Sequence, residues 1–487
     1  MVLSRAVLAI DIGSSALKAV LFSQDGAMLA TRSAAISTAS GADRSQTQDP
    51  ADWWAALVSA LADMPHRDDI EALVFTGSMQ NLIVLSPEGE ALAPVALYSD
   101  RSLDEDEIAA LQAHLPGDYA QRVGNHPDPA HTIFKLMRLD RFAPDLPDEH
   151  RFFFGAKDAV TFRLTGRAAI DPTVASTTGL MNIAERCWDA ELLATAGVEA
   201  SRLPEILPAD EIVGPLRAEA AAELGLVPGM PVFNGAGDAA AATWGAAADE
   251  PGRAYAYLGT TGWVAATLTM QDAAPPRDIY TLADPVHPDR AIIISPFLTA
   301  GAAMDWLAEI TGESVESLLK AAETVDDARA APLFLPYLSG ERAPFEDQRV
   351  RGAFLGLDRT HGKGAMARAV LEGVAFAIRH NLETAGLPPS PLTIIGGAAR
   401  DALQRRTLAS VLNREIAFPD ASQEMTALGG LRMIAAKAGL SLAAMDAPPV
   451  LAPDTTHDAP HAERCDSRYE AYLAASRFAR EQARLLT

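Results

Sequence analysis

Ile10-Asp11-Ile12-Gly13-Ser14-Ser15-Ala16-Leu17-Lys18 joins two apolar runs, Ala6–Ile10 and Leu17–Phe22, through a Gly-Ser-Ser turn. Short continuous apolar runs bounded by turn residues read as buried strands. A third extended segment, Met28–Ile36, follows the turn Gln24-Asp25-Gly26. A hydroxylated glycine turn between strands points successive backbone N–H groups and side-chain hydroxyls into one concavity. That concavity accepts phosphate oxygens without any net positive charge. Gly13 admits a phosphate where a Cβ would block it. Asp11, at the strand end, is placed to hold a hydrated Mg2+, and Lys18 follows the turn. Taken alone, Gly13-Ser14-Ser15 is also explained by an ordinary hairpin.

The rest of the chain supplies a second copy. Near Ala247–Gly252 the pattern resets. Arg253–Leu258 then reads as a strand, Gly259-Thr260-Thr261-Gly262 as a tight turn and Trp263–Thr269 as a second strand. α/β character on both sides of that reset predicts two lobes, residues 1–247 and 248–487, with a nucleotide held between the two turns. Leu392–Ile395 runs into Gly396-Gly397-Ala398-Ala399 and a helix from about Asp401 to Leu412. A glycine pair at such a junction lets a ribose or planar ring lie against backbone, which favours adenosine there. Close helix–strand packing explains the same pair. Asp238 follows the strand Met230–Asn234 and the bend Gly235-Ala236-Gly237, and it leads into an Ala-rich helix. It fits an N-cap or first-turn acid of a helix and also a general base for a sugar hydroxyl at a cleft floor. Phosphoryl transfer otherwise needs mainly positioning and electrostatics.

Other segments read more simply. Asp52–Met64 is a helix, and Ile70–Phe75 is a strand ending in Thr76-Gly77-Ser78. The acidic cluster Asp104-Glu105-Asp106-Glu107 suits the start of a helix running to Leu115. Ala443–Glu463, with its four prolines, reads as a loop before a last helix from about Ser467 to Leu485. His126 and His131 lie near Asp128, but their spacing matches no metal site.

Composition sets the class. A chain of 487 residues with 49% hydrophobic and 21% charged residues is globular and long enough for two to four domains. Its 40 Lys+Arg against 64 Asp+Glu give a formal charge of −24, which repels nucleic acid and anionic membranes. Two cysteines, Cys187 and Cys465, fit a reducing compartment. The run Ala6–Ile10 is cut by Asp11 and is too short for a signal peptide, and Ala291–Met304 falls short of a bilayer span. A soluble, cytoplasmic protein is expected, with its oligomeric state open and a homodimer admitted.

These pieces, in this order, resemble the FGGY family of carbohydrate kinases, and its xylulokinases most. To the stretches already quoted the resemblance adds Leu164-Thr165-Gly166, Phe334–Pro344 and Arg368–Val374, so that it is dispersed over about residues 6–440. It implies an α/β fold of two actin-like (ribonuclease H-like) ATPase lobes flanking a cleft. The activity it implies is ATP-dependent phosphorylation of a ketose or polyol hydroxyl. Asp238 stands in the place of the catalytic base and Asp11 near Mg2+. Gly13, Ser14, Ser15 and Lys18, with Gly259, Thr260, Thr261 and Gly301, would face ATP. Gly396, Gly397, Ala398 and Asp401 would border adenosine, and Met79, Gln80 and Asp100 would meet the sugar. The departures lie in the sugar pocket. Xylulokinases resemble Gly-Gln-Met-His-Gly where this chain has Gly77-Ser78-Met79-Gln80-Asn81, and Trp-Asn-Asp where it has Tyr98-Ser99-Asp100. Kinase chemistry is therefore expected, while D-xylulose is not assured as substrate. A non-catalytic sugar-responsive regulator and an actin-like chaperone ATPase are the competing readings. Survival of Asp11, Asp238 and both turns argues against the first. The Met79–Asp100 segment argues against the second.

Overall fold

The opening apolar run forms β1 (Ala6–Ile12), buried along its length except at half-buried Asp11. Burial on both faces is what a central strand with a parallel neighbour needs. The computed structural model that shows this describes residues 6–273, 279–325, 331–387, 391–397, 401–419, 424–442, 450–451 and 459–485. β2 (Ala16–Ser23) and β3 (Met28–Ala35) continue from β1 as antiparallel hairpins. α1 (Pro50–Ala62) then opens on an Asp49 cap with proline at its first position, where the missing N–H costs nothing. β4 (Ile70–Gly77) returns parallel to β1.

An insertion follows, with its own core around Phe134, Phe152, Phe154 and Leu192. It holds α2 (Thr132–Met137) and α3 (Ala156–Thr165). Within it the acidic cluster does what a helix start asks. Asp104 accepts from the Glu107 N–H while the Glu107 carboxylate accepts from the Asp104 N–H. β5 (Ile212–Pro215) and β6 (Pro231–Gly237) complete the first sheet, in the order β5-β6-β4-β1-β2-β3. α4 (Asp238–Gly245) follows at once.

The second half repeats the plan. β7 (Ala254–Leu258), β8 (Gly262–Thr269), β9 (Tyr280–Ala283) and β10 (Arg290–Phe297) precede α5 (Ala302–Thr311) and α6 (Lys363–Thr384). β11 (Leu392–Ile395), α7 (Ala402–Leu412), β12 (Ile416–Ala417), α8 (Met425–Ala438), β13 (Val450–Leu451) and α9 (Ala459–Ala483) follow. The sheet order is β9-β10-β8-β7-β11-β12-β13. In each half a three-stranded antiparallel meander is extended by two parallel strands: β3-β2-β1-β4-β6 in one, β10-β8-β7-β11-β12 in the other. The duplication seen in two glycine turns thus spans five strands on each side.

The halves meet where α4 crosses α8 with backbone against backbone. A Cβ on Gly429 would stand 1.8 Å from the Ala241 carbonyl oxygen, and one on Gly245 would stand 2.0 Å from that of Met425. Glycine is required at both. A second seam runs along β9, where the Asn125 amide donates to the Thr281 carbonyl and accepts its N–H, both at 2.7 Å.

Two expectations change at the C-terminal end. Val450–Leu451, inside the stretch read as a loop, pairs antiparallel with β12. The last helix starts at Ala459 rather than near Ser467, with Pro460 in its first turn, where a proline forfeits no intrahelical bond. Residues 443–449 and 452–458 of that stretch lie outside the described residues. Cys187 is exposed and Cys465 is buried, and neither is in a disulfide. No helix among the described residues is long and apolar enough to cross a membrane.

Candidate active site

Parallel strands carry their C-terminal ends to one edge of a sheet, and here that gathers three functional candidates. Asp11 on β1 registers with Thr76 on β4, and Gly77 with Gly237 at the end of β6. The Thr76 hydroxyl donates to Asp11 Oδ1 at 2.9 Å. β6 reaches this edge through a bulge between Phe233 and Ala236. Gly235 makes the bulge at φ +65, where a Cβ would lie 1.7 Å from the Phe75 carbonyl oxygen, so no other residue fits. The bulge delivers Asp238 as the first residue of α4, its Oδ1 accepting the Ala239 N–H at 2.8 Å.

The electrostatics of the pair are those of two carboxylates sharing a poorly solvated floor. Burial first, then the Asp11 charge and Asp171, push the Asp238 carboxyl up to about 7, against the opposing Ala239 N–H. Asp11 is also raised by burial, against the lowering effect of the Thr426 and Thr76 hydroxyls and of Lys18. Behind Asp238 lies a fully buried network. Lys157 Nζ on α3 is 2.6 Å from Asp158 and 3.0 Å from Asp171, and donates to Asn234 at 3.4 Å just before the bulge.

A cavity of about 430 Å³ opens over this floor. Asp11, Gly13, Met79, Gln80, Tyr98 and Asp238 line it from the first half, and Tyr257, Trp263, Met425 and Thr426 from the second. Gly237 permits the approach of Met79, whose Sδ would stand 2.6 Å from a Cβ there. Tyr257 and Trp263 stack with ring centroids 4.1 Å apart, and the Trp263 indole donates to the Tyr255 hydroxyl at 2.8 Å.

A second cavity, of about 380 Å³, is lined by Gly259, Thr260, Gly301, Met304, Asp305, Gly397, Asp401 and Gln404, among others. The Gly301 N–H donates to the Gly259 carbonyl at 2.8 Å. Asp401 caps α7 by accepting the Gln404 N–H at 3.0 Å. Gly396, at φ +107, keeps β11 against β7, since a Cβ would lie 2.3 Å from the Leu258 carbonyl oxygen. The β7–β8 hairpin serves both cavities, with Tyr257 and Trp263 in the first and Gly259 and Thr260 in the second.

None of the remaining expected residues that the structure describes lines either cavity. Lys18 pairs with Asp11 across the β1–β2 hairpin. Ser14 is braced from behind, its carbonyl accepting Gln48 Nε2 at 2.6 Å, and the Ser15 carbonyl accepts the Ile36 N–H. Thr261 is exposed at the tip of the second turn. Ala398 lies outside the described residues. Asp100 is buried and lines neither cavity. Its oxygens accept the Gln46 N–H, the Ser102 N–H and the Ser102 hydroxyl, so the carboxylate holds a loop together. Asn81 is likewise buried and accepts the Tyr98 N–H at 3.1 Å, fastening the Tyr98 loop to the Gln80 loop. His131 is buried against the Tyr119 hydroxyl at 2.9 Å, and no metal-binding cluster occurs among the described residues. Sequence reasoning missed Tyr257, Trp263, Met425 and Thr426. Tyr257 and Trp263 flank the turn Gly259–Gly262 that carried a signal, while Met425 and Thr426 adjoin none.

Residues 6–245 match the N-terminal domain of the FGGY family of carbohydrate kinases, and residues 254–438 match its C-terminal domain. The chain belongs to that family. It is 30% identical to a xylulose kinase of Escherichia coli (strain K12) over 472 residues, 95% of each chain. To a gluconokinase of Bacillus subtilis (strain 168) it is 27% identical over 447 residues, 87% of this chain and 86% of that one. Among solved structures, a xyloylose kinase from Brucella ovis superposes with a TM-score of 0.85 at 30% identity, covering 96% of this chain and 98% of that one. A xylulose kinase from Rhodospirillum rubrum gives 0.87 at 26%, covering 99% and 100%. The chain is thus an ATP-dependent carbohydrate kinase of two-domain, actin-like architecture, and nothing in these likenesses supports the regulator or the chaperone.

Proposed function

We propose that this kinase phosphorylates a hydroxyl of a ketose or polyol of the xylulose kind, with Asp238 as general base. The observation that carries the reading is the single cavity shared by Asp11, Asp238, Met79, Gln80 and Tyr98. A hydroxyl against Asp238 gives its proton to a carboxylate whose value near 7 suits proton transfer at neutral pH. Asp11 holds the Mg2+ that accompanies ATP. The donor set fits, since magnesium keeps several waters and takes one or two carboxylates plus phosphate oxygens, so the half-buried Asp11 carboxylate at the cavity floor suits it. Bound there, the ion offsets phosphate charge. Adenosine sits in the second cavity by Gly396, Gly397, Ala398 and Asp401. The phosphate chain crosses Gly259, Thr260 and Thr261, beside Gly301, toward Gly13, Ser14, Ser15 and Lys18. The β7–β8 hairpin common to both cavities supports that path. In this reading residues 1–247 bind sugar and residues 248–487 bind nucleotide. Asp100 acts through the loop it holds.

The same reading puts the enzyme in the cytoplasm with its ATP, without nucleic-acid or membrane partners. A homodimer would cover exposed Leu355 and Phe478, which share one groove. The test is ATP consumption across ketopentoses, ketohexoses, gluconate, pentitols and glycerol, with the product position read by NMR. A ketose or polyol should lead the panel, and Gln80→His should reorder the sugars while leaving the KM for ATP unchanged. Preference for gluconate, or a panel with no acceptor, refutes the substrate class. An unchanged ranking refutes the role given to Gln80.

A further inference from the structure

We infer that Lys135, which lines neither cavity, is a positioning residue that sets sugar selectivity by locking the backbone of Gln80. The inference rests on the reading that Gln80 meets the sugar. Gln80 has φ +62, a left-handed conformation that residues with a Cβ rarely adopt and that concentrates at binding sites. Its flanks are pinned. The Ser78 N–H donates to the Ile12 carbonyl at 2.9 Å and the Asn81 N–H to that of Phe154 at 3.0 Å. Gln80 is the apex between those pins, with its side chain in the cavity wall.

Behind that apex stands α2, whose residues Thr132–Leu136 are all buried. Lys135 is only 2% exposed. Among the described residues its ammonium makes one hydrogen bond, to the Gln80 carbonyl oxygen at 3.3 Å. Burying an ammonium is costly, and a helix that needed only packing there would carry an apolar side chain. Burial lowers the Lys135 value to about 8. The Asp100 and Asp128 carboxylates favour the charged form and Arg101 opposes it. The charge is thus kept where it strengthens a bond to a neutral carbonyl. That bond turns the Gln80 peptide toward α2 and fixes which way the side-chain amide enters the cavity. An amide has one donor end and one acceptor end, so its orientation decides which hydroxyl pattern is matched.

The experiment is a double-mutant comparison of Lys135→Met and Gln80→Gly, using the best sugar of the panel, with melting curves as the folding control. Glycine adopts positive φ freely and carries no amide to aim. Lys135→Met should raise the sugar KM roughly tenfold, with kcat and the KM for ATP within about threefold of wild type. In the Gln80→Gly background the same change should move the sugar KM by less than about twofold. Equal effects in both backgrounds, or an unchanged KM on losing the ammonium, overturn the inference. An unchanged sugar KM in Gln80→Gly alone instead overturns the placement of Gln80 at the sugar, and the inference falls with it. Should Lys135→Met not fold, Lys135→Gln keeps a neutral donor and is read in the same two backgrounds. An intermediate rise confined to the Gln80 background supports the lock, and none refutes it.

Discussion

Replacing Asp238 by Asn should disable the kinase and stabilise it at the same time. The amide keeps the size of the carboxylate and an oxygen to accept the Ala239 N–H, and it removes only the charge and the proton acceptor. A carboxyl lifted from 3.8 to about 7 by burial and by Asp11 costs on the order of 4 kcal/mol more to ionise in the folded chain than in the unfolded one. The sign follows from the direction. The folded value lies above the unfolded one, so the stability tied to this group is complete below about pH 4. It is lost progressively as pH rises through about 7, where the folded state must carry the charge. Asp238→Asn should therefore gain of order 4 kcal/mol at pH 8, about 1.6 kcal/mol at pH 5, and almost nothing at pH 3. Turnover should fall by about 10²–10⁴, the worth of a positioned general base. Urea melts at two pH values give the stability difference, and coupled ATP assays give the rate. For the wild type, kcat/KM should rise with pH through a midpoint near 7 set by Asp238. A variant no more stable than wild type at pH 8 refutes the electrostatic reasoning. A folded variant turning over within about tenfold of wild type refutes the general base.

Two further substitutions probe the scaffold and the nucleotide site. Gly235→Ala forces a Cβ to within 1.7 Å of the Phe75 carbonyl oxygen at φ +65. It should cost more than about 3 kcal/mol in a urea melt, and ordinary stability would mean that the bulge does not deliver Asp238 as described. At Gly397 no heavy atom of the described residues, chain neighbours aside, lies within 4 Å of an added Cβ. Gly397→Val should therefore leave melting unchanged and raise the KM for ATP about tenfold or more, without moving that for sugar. An unchanged KM for ATP would move adenosine away from this junction.

What could be read in the sequence and what could not divide along a physical line. Both glycine turns and the bend before Asp238 were legible because they are local. Each is a strand, a punctuating glycine and a second element within a dozen or so residues, where periodicity and φ preference act. The duplication was legible only as two turns, because strand order is decided by which distant segments pair. β4 joins β1 in parallel, and β6 joins β4, from far along the chain. The edge strand Val450–Leu451 is two residues long and exists only because β12 lies beside it. The same holds for Met425 and Thr426, which reach the cavity because α8 packs on α4 through Gly429 and Gly245, and for Tyr257 and Trp263, which reach it from the β7–β8 hairpin. Nothing near them in sequence says what they will face.

Asp100 and Asn81 show the harder limit. Both sit in stretches that the family resemblance assigns to substrate, and both are polar residues of a kind that binds sugars. Side chains of that chemistry are equally fit to satisfy backbone N–H groups in a buried loop, and burial decides between the two uses. Here Asp100 spends its oxygens on Gln46 and Ser102, and Asn81 spends its own on Tyr98. Gln80 lies between half-buried Met79 and buried Asn81, and its left-handed backbone stands in the cavity wall. If Gln80 meets the sugar as proposed, selectivity in this pocket depends on loop geometry as much as on residue identity. A histidine placed at position 80 would inherit the same backbone, with its carbonyl still held by Lys135. The Gln80→His exchange consequently tests side-chain chemistry alone, and changes at Lys135 or Asn81 test the frame that aims it.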